Sequence, residues 1–446
     1  MLSSTPLVFR IAIIAVVCAC AFTRALAAEI SFGLKPSPAL GSGGVSLIDF
    51  VDVIVTKHPR AAAAAEAIGA SESLVEAAKG ALLPQISGTG QAGRSLSSTT
   101  GAAGSGFRPG ISASQLLYDG GRTDNNIKGR EQETLAATAQ RDEIILNLTS
   151  RITEAYIEWH RQNRLLTLAN EQLIALDRFD RLVTEIASFD KGRLSDKRLV
   201  SARIAQVRNG RDARAVAARD AIRQMQQVCV CNLTPGVAPP PFAALLPAQA
   251  PSEMGMALFG QHPSILVAMA RRDGNLADAE AAAAWWIPSV ELQLSSQADL
   301  NAPGGGTRYF AQNAAFINLR ANVFDGNSGA AREQSVRARA RSAEATLTAT
   351  LNELEAEANR HWSAIEERKS RVVSLNSMIA ETDEAFDVVF EQFKLGRRSV
   401  IELLTYENER FAARGQVISE ELDMEISRAR WLNAVGKLTE KLRNRE

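Results

Sequence analysis

Aromatic residues make up only 6% of this 446-residue chain, prolines number 15, cysteines 4, and 50 Lys and Arg are cancelled by 50 Asp and Glu. So few aromatics, set among long tracts rich in Ala, Arg, Glu and Leu, favour extended helices over a thick globular core. The balanced charge supplies no global field that would select nucleic acid or another polyanion as a partner. Catalytic and cofactor signatures are missing too: there is no Gly-x-x-x-x-Gly-Lys phosphate loop, no His-Glu-x-x-His pair and no Gly-x-Ser-x-Gly elbow. The four histidines are scattered, and His58 and His262 both precede proline, which makes them structural rather than metal ligands. No constellation of residues supports an enzyme, a metal site or a bound cofactor.

The one long apolar run, Ile11 to Phe22, follows Arg10 and precedes Ala25-Leu26-Ala27. It is too short to cross a bilayer and reads as a cleavable secretory signal over residues 1–27. Cys18 and Cys20 would leave with it. Acylation at Cys20 is the alternative, and Val17-Cys18-Ala19 matches the small-residue run of such sites poorly. Cys229 and Cys231 would project about 200° apart on a helix, so they read as two small hydrophobes with no disulfide.

What is present is a duplication. Gly192-Arg193-Leu194-Ser195 and Gly396-Arg397-Arg398-Ser399 lie 204 positions apart, each with Phe three residues before it. His58-Pro59 and His262-Pro263 share that offset, as do Leu83-Pro84 and Ile287-Pro288, while Tyr118-Asp119-Gly120 and Phe324-Asp325-Gly326 differ by 206. One unit is therefore written twice. The expected organisation is a tether over 28–45, a first repeat over 46–234, a Pro-rich linker over 235–251 and a second repeat over 252–446.

Within each repeat, short helices precede a β-hairpin, at about 85–118 and again at about 288–324. Val290, Leu292 and Leu294 alternate with Glu291, Gln293 and Ser295. On the return run Ile317, Leu319, Ala321 and Val323 alternate with Asn318, Arg320 and Asn322. Period two with one apolar and one polar face describes a strand with different surroundings on its two sides. The apolar face covers a soluble core or, in an exported protein, faces lipid while the polar face lines a pore. Tyr118, Trp285-Trp286, Tyr309-Phe310 and Phe324 lie near strand ends, where a membrane interface favours aromatics. Long helical hairpins follow, over 124–231 and 329–443, with apolar residues three or four apart, save one step of seven after Trp159, along the first from Ile145 to Leu176. Four strands cannot close on themselves, and open edges are not tolerated in lipid. A membrane-spanning version must pool strands from several chains, and three chains would supply twelve.

The paired landmarks, the Tyr118-Asp119-Gly120-Gly121-Arg122 run and the Phe-x-x-Gly-Arg-x-Ser turns together resemble the TolC family of outer-membrane exit ducts. The resemblance spans about Ser46 to Arg443. It implies a mainly α fold with a membrane β-barrel contribution: a homotrimer with a 12-stranded outer-membrane barrel and a periplasmic α-helical tunnel, working passively. The implied partners are a periplasmic adaptor (membrane fusion protein), an inner-membrane ABC transporter or RND pump, and outer-membrane lipid. The resemblance also implies a gate at the periplasmic tip, beyond the turns at Gly192 and Gly396. The family's first acidic site falls on Glu402; its second falls on Thr405, a departure, with Glu407 nearby. Arg398 matches the family's basic residue there. The family's acidic partner falls on Arg198, so the resting tip is expected to pair Arg198 and Lys197 with Glu402 or Glu407, and Asp196 with Arg398. Type I protein secretion is the favoured role, on the Tyr-Asp-Gly-Gly-Arg run. A multidrug efflux duct and a periplasmic adaptor or coiled-coil scaffold are the alternatives.

Overall fold

The computed structural model describes residues 44–96, 103–248, 255–301 and 308–444, with side chains at 93–106, 192 and 299–311 left outside the description. The signal, Cys18, Cys20 and nearly all of the tether fall outside these residues. Helices α1 (Leu47–Lys57) and α2 (Pro59–Gly80) lead into strands β1 (Gln85–Leu96) and β2 (Ala103–Tyr118), then α3 (Arg122–Phe189) and α4 (Leu194–Cys229). The plan then recurs as α5 (Met256–Phe259), α6 (Pro263–Ala283), β3 (Ser289–Asn301), β4 (Arg308–Arg320), α7 (Ser328–Lys394) and α8 (Val400–Ala434), with a short α9 (Leu438–Arg443) at the end.

The local chemistry of each start and stop is visible. Ser46 and Asp49 form a reciprocal capping box on α1. His58 and His262 cap α2 and α6: each Nδ1 accepts the backbone N–H two residues on, at 3.1 Å. Their Nε2 atoms reach the carbonyls of Val228 and Asn433 at 3.0 and 3.3 Å. Burial holds both imidazoles below their usual pKa, which suits a neutral ring that accepts on one nitrogen and donates from the other.

The four strands form one antiparallel sheet in the order β1-β2-β3-β4. Beyond it, α3 and α7, of 68 and 67 residues, each run about 100 Å at 1.5 Å per residue. Nearer the sheet the helices pack in the order α2-α3-α6-α7; farther away the order is α4-α3-α8-α7. Two buried clusters hold them. The larger gathers α1, Ile152, Tyr156, Met225, Phe242, Trp431 and Leu438. The second, at the far end, joins Leu176, Phe179 and Val183 of α3 to Val200 and Ile204 of α4, Phe386 and Phe393 of α7, and Leu403 of α8. The buried Tyr156 hydroxyl lies 3.0 and 2.7 Å from the carbonyls of Val45 and Val237, fastening the leading strap to the linker between repeats.

Three expectations need correction. Cys229 and Cys231 are disulfide-bonded, with Cα atoms 5.2 Å apart. The expectation assumed one continuous helix through both, but α4 stops at Cys229 and Val230 turns left-handed at φ 53°, swinging Cys231 back. The return strand β4 ends at Arg320, so Ala321 and Val323 lie beyond the ladder. The last helix is broken after Ala434, where Gly436 at φ 76° closes a Schellman turn through Gly436 N–H to Asn433 O and Lys437 N–H to Leu432 O.

Candidate functional site: the wall, the elbows and the tip

The wall follows from register. Val290 pairs with Leu319, Leu292 with Ile317 and Leu294 with Ala315, while across β2 Leu294 meets Ala113 and across β1 Ile86 meets Ala113. These residues share one face of the sheet, and Ile86, Ile111, Leu294, Ile317 and Leu319 are exposed on it. The opposite face carries Gln85, Ser87, Thr89, Ser112, Ser114, Glu291, Gln293, Ser295, Gln297 and Asn318. Ser87 and Ser112 share a 2.8 Å hydroxyl contact there, and the Asn318 amide donates to Gln293 at 2.7 Å. Tyr118, Trp286 and Phe324 are exposed at the helix end of the sheet, a position that suits a membrane interface. Tyr309 and Phe310 lie outside the side chains described.

At the elbows the Asp-Gly pairs join strand to helix. Asp119 accepts from Gly121 N–H at 3.1 Å and from Thr123 N–H at 2.8 Å, so it caps α3 from outside the helix. Asp325 does the same for α7 through Gly329 N–H at 2.6 Å and the Ser328 hydroxyl at 2.9 Å, and these bonds, the hydroxyl's foremost, hold its carboxyl below the usual range. Gly120 and Gly326 sit at φ 72° and 68°, and a Cβ on Gly120 would lie 2.6 Å from Ile287. Arg122 donates to Ala284 O at 2.8 Å and so ties the first elbow to the second repeat. The Tyr-Asp-Gly-Gly-Arg run is therefore a bend that fixes the sheet on the shaft.

The two tips differ. After α7, Gly396 at φ 71° makes a Schellman turn, with Gly396 N–H to Phe393 O and Arg397 N–H to Gln392 O, both 2.9 Å. Ser399 and Glu402 then form a capping box on α8, a Ser-x-x-Glu signal present in the sequence. Gly192 lies in the 3-10 turn Lys191–Arg193, and α4 has no side-chain cap. Arg198 stands where the second repeat has Glu402, so the first tip lacks the carboxylate that closes a capping box. Phe393 is 1% exposed, whereas its twin Phe189 is 89% exposed.

The expected gate contacts are not found among the described residues. Arg398 donates to Glu402 Oε1 and to Gln392 Oε1, both at 2.9 Å, so it pairs within its own hairpin rather than with Asp196. The Ser399 backbone N–H, then Arg398, hold the Glu402 carboxyl below its usual pKa. Arg198 and Lys197 make no ion pair to Glu402 or Glu407. Thr405 is exposed, its hydroxyl on Ile401 O at 2.9 Å. Glu407 is fully buried, Gln172 donating to it at 3.3 Å, and burial pushes its carboxyl up to about 7. Its side chain lies in the packed interior between helices of this chain.

Residues 53–225 match the family model described as outer membrane efflux protein. That stretch holds most of the first repeat, from within α1 to near the end of α4. The chain is 24% identical over 374 residues to the outer membrane efflux protein BepC of Brucella suis biovar 1 (strain 1330), covering 82% of this chain and 79% of that protein. Among solved structures, the chain resembles CusC with a TM-score of 0.79 at 16% identity, over 90% of this chain and 95% of that one. The open-state MtrE outer membrane channel of Neisseria gonorrhoeae gives 0.74 at 19% identity, over 87% and 88%. The fold is thus that of the TolC-like channels. These homologues are outer membrane efflux channels rather than enzymes, and they extend from the outer membrane into the periplasm.

Proposed function

We propose that this protein is the passive exit duct of a tripartite export system. It works as a homotrimer whose twelve pooled strands close a barrel and whose helices form a periplasmic tunnel. One observation carries the reading: a four-stranded sheet, apolar on one face and unpaired at β1 and β4, continues through capped elbows into helices about 100 Å long. Lipid tolerates no open edge, and the smallest membrane barrels need about eight strands. Energy then comes from an inner-membrane transporter reached through an adaptor at the tips.

The cargo we assign is protein, exported by a type I system with an ABC transporter, on the strength of the Tyr118 to Arg122 run. The description of BepC as an efflux protein favours the second reading, a duct for an RND drug pump. Deleting the gene and comparing the culture medium with drug sensitivity separates the two. Loss of a secreted protein, with inhibitory drug concentrations changed less than about twofold, is the result expected. Drug hypersensitivity with an unaltered set of secreted proteins would assign the duct to efflux.

Within this duct, Glu402 is the candidate acidic ring at the tip, with Thr405 in place of a second ring and Arg398 as its neighbour. Because Glu402 also closes the capping box, Glu402→Gln is the informative variant, since Gln supports the same box. In planar bilayers its cation selectivity is expected to fall; unchanged selectivity would remove Glu402 from the pore.

A further inference from the structure

The sheet and both helix layers are open on the same two sides. β1, α2 and α4 end them on one side; β4 and α7 end them on the other. The exposed ends of α4 and α7 near the tips are opposite in charge. Between Asp196 and Asp212, α4 carries Lys197, Arg198, Arg203, Arg208 and Arg211 and no acid. Between Arg371 and Lys394, α7 carries Glu381, Asp383, Glu384, Asp387 and Glu391 and no base.

Partners within the chain use up some of these groups and leave others. Asp383 turns inward to Arg410 and Arg414, at 3.3 and 2.7 Å, and Glu391 is held by Lys394 at 2.6 Å. Arg211 pairs with Asp212, and Arg203 donates to Gln206 at 2.8 Å. Glu381, Glu384 and Asp387 on α7 are exposed, as are Arg198 and Arg208 on α4, and none of the five has an ion pair among the described residues.

We propose that the basic outer face of α4 docks on the acidic face of α7 of a second copy of this chain, forming an ionic seam that holds neighbouring helical hairpins together near their tips. The inference rests on the homotrimeric duct and names the contact that would close its lower end. Level, spacing and symmetry agree with it. Phe179 of α3 lies 6.0 and 5.6 Å, ring to ring, from Phe386 and Phe390 of α7, which sets the two tips at one height. At 1.5 Å per residue Arg208 stands about 21 Å above the start of α4, and Glu384 and Glu381 about 15 and 20 Å above the end of α7. Arg198 and Asp387 stand at about 6 and 10 Å on the same scale. The exposed Ala202 and Ala205 of α4 and Ala380 of α7 let the two backbones approach. A contact of one side on the opposite side is heterologous, the kind that closes a ring when repeated by rotation. Charges of this sort fix register and choice of neighbour more than they add affinity, and salt weakens them.

The test uses the full chain, purified in detergent, with Ala205→Cys and Ala380→Cys introduced together. Oxidation is expected to give covalent dimers and trimers that survive boiling in SDS. Adding Glu381→Arg with Glu384→Arg, or Arg198→Glu with Arg208→Glu, should lower the yield at least fivefold. Combining all four charge changes should restore it. Particle size by light scattering, run in parallel, separates the two levels of the account. A monomeric wild-type particle would sink the duct and the seam with it. A trimeric particle that forms no cross-link, or whose cross-link ignores the reversals, would sink the seam alone.

Discussion

On α8, Val400, Leu403, Glu407 and Phe411 fall three and four residues apart, so Glu407 occupies a core position although its side chain is ionisable. That spacing marks a core position in the sequence itself, while the carboxylate and its nearness to Glu402 point toward a pore. A carboxyl raised to about 7 in the fold and ordinary in the unfolded chain favours the protonated, folded state at low pH. Its cost therefore appears as pH rises from about 4.5 and levels off above 7. Glu407→Gln, which keeps the shape and a bond to Gln172, is expected to be stabilising by on the order of 2 kcal/mol at pH 8 and nearly neutral at pH 5. Thermal unfolding followed by circular dichroism checks it; an equal effect at both pH values would deny the buried anion. At Gly120, a left-handed φ and the approach of Ile287 act together. Gly120→Ala should then cost at least about 1–2 kcal/mol, read in the same melt.

At the scale of elements, the helices and strands were legible because their punctuation is strong. The long helix expected over about 124–187 is observed as Arg122–Phe189, between the Asp119-Gly120 elbow and the Gly192 turn. Features that depend on a single backbone torsion were not legible, since Val230 and Gly436 reverse the chain with no repeat in the sequence to mark them. Nor was the pairing of Arg398, which stands just before α8 and finds a nearer partner four residues on, in Glu402 of the first helical turn. Asp119→Ala removes the cap of α3 and should cost about 1 kcal/mol, seen as a lower melting temperature. Leu292→Arg on the apolar face of β3 should disturb membrane assembly by about 2–4 kcal/mol at mid-bilayer, whereas Gln293→Arg on the other face should be tolerated. Heat-modifiable mobility on gels compares them; equal tolerance at both positions would place water on both faces.

For the whole molecule, one geometric fact governs the account: every layer of the chain stops at the same two sides, with backbone ladders unfinished at β1 and β4. The mid-shaft is already braced within one chain by ion pairs between the repeats, Arg161 with Asp423, Arg164 with Glu421 at 2.8 Å and Arg430 with Glu154 at 2.8 Å. What one chain lacks is a wall that closes. Duplication doubles the strands from two to four, and the proposed ring of three would supply the rest. The direct measurement is the mass of the protein extracted from outer membranes in detergent, by light scattering with the detergent subtracted. The account requires three chains per particle; a single chain per particle, released into water without detergent, would contradict it.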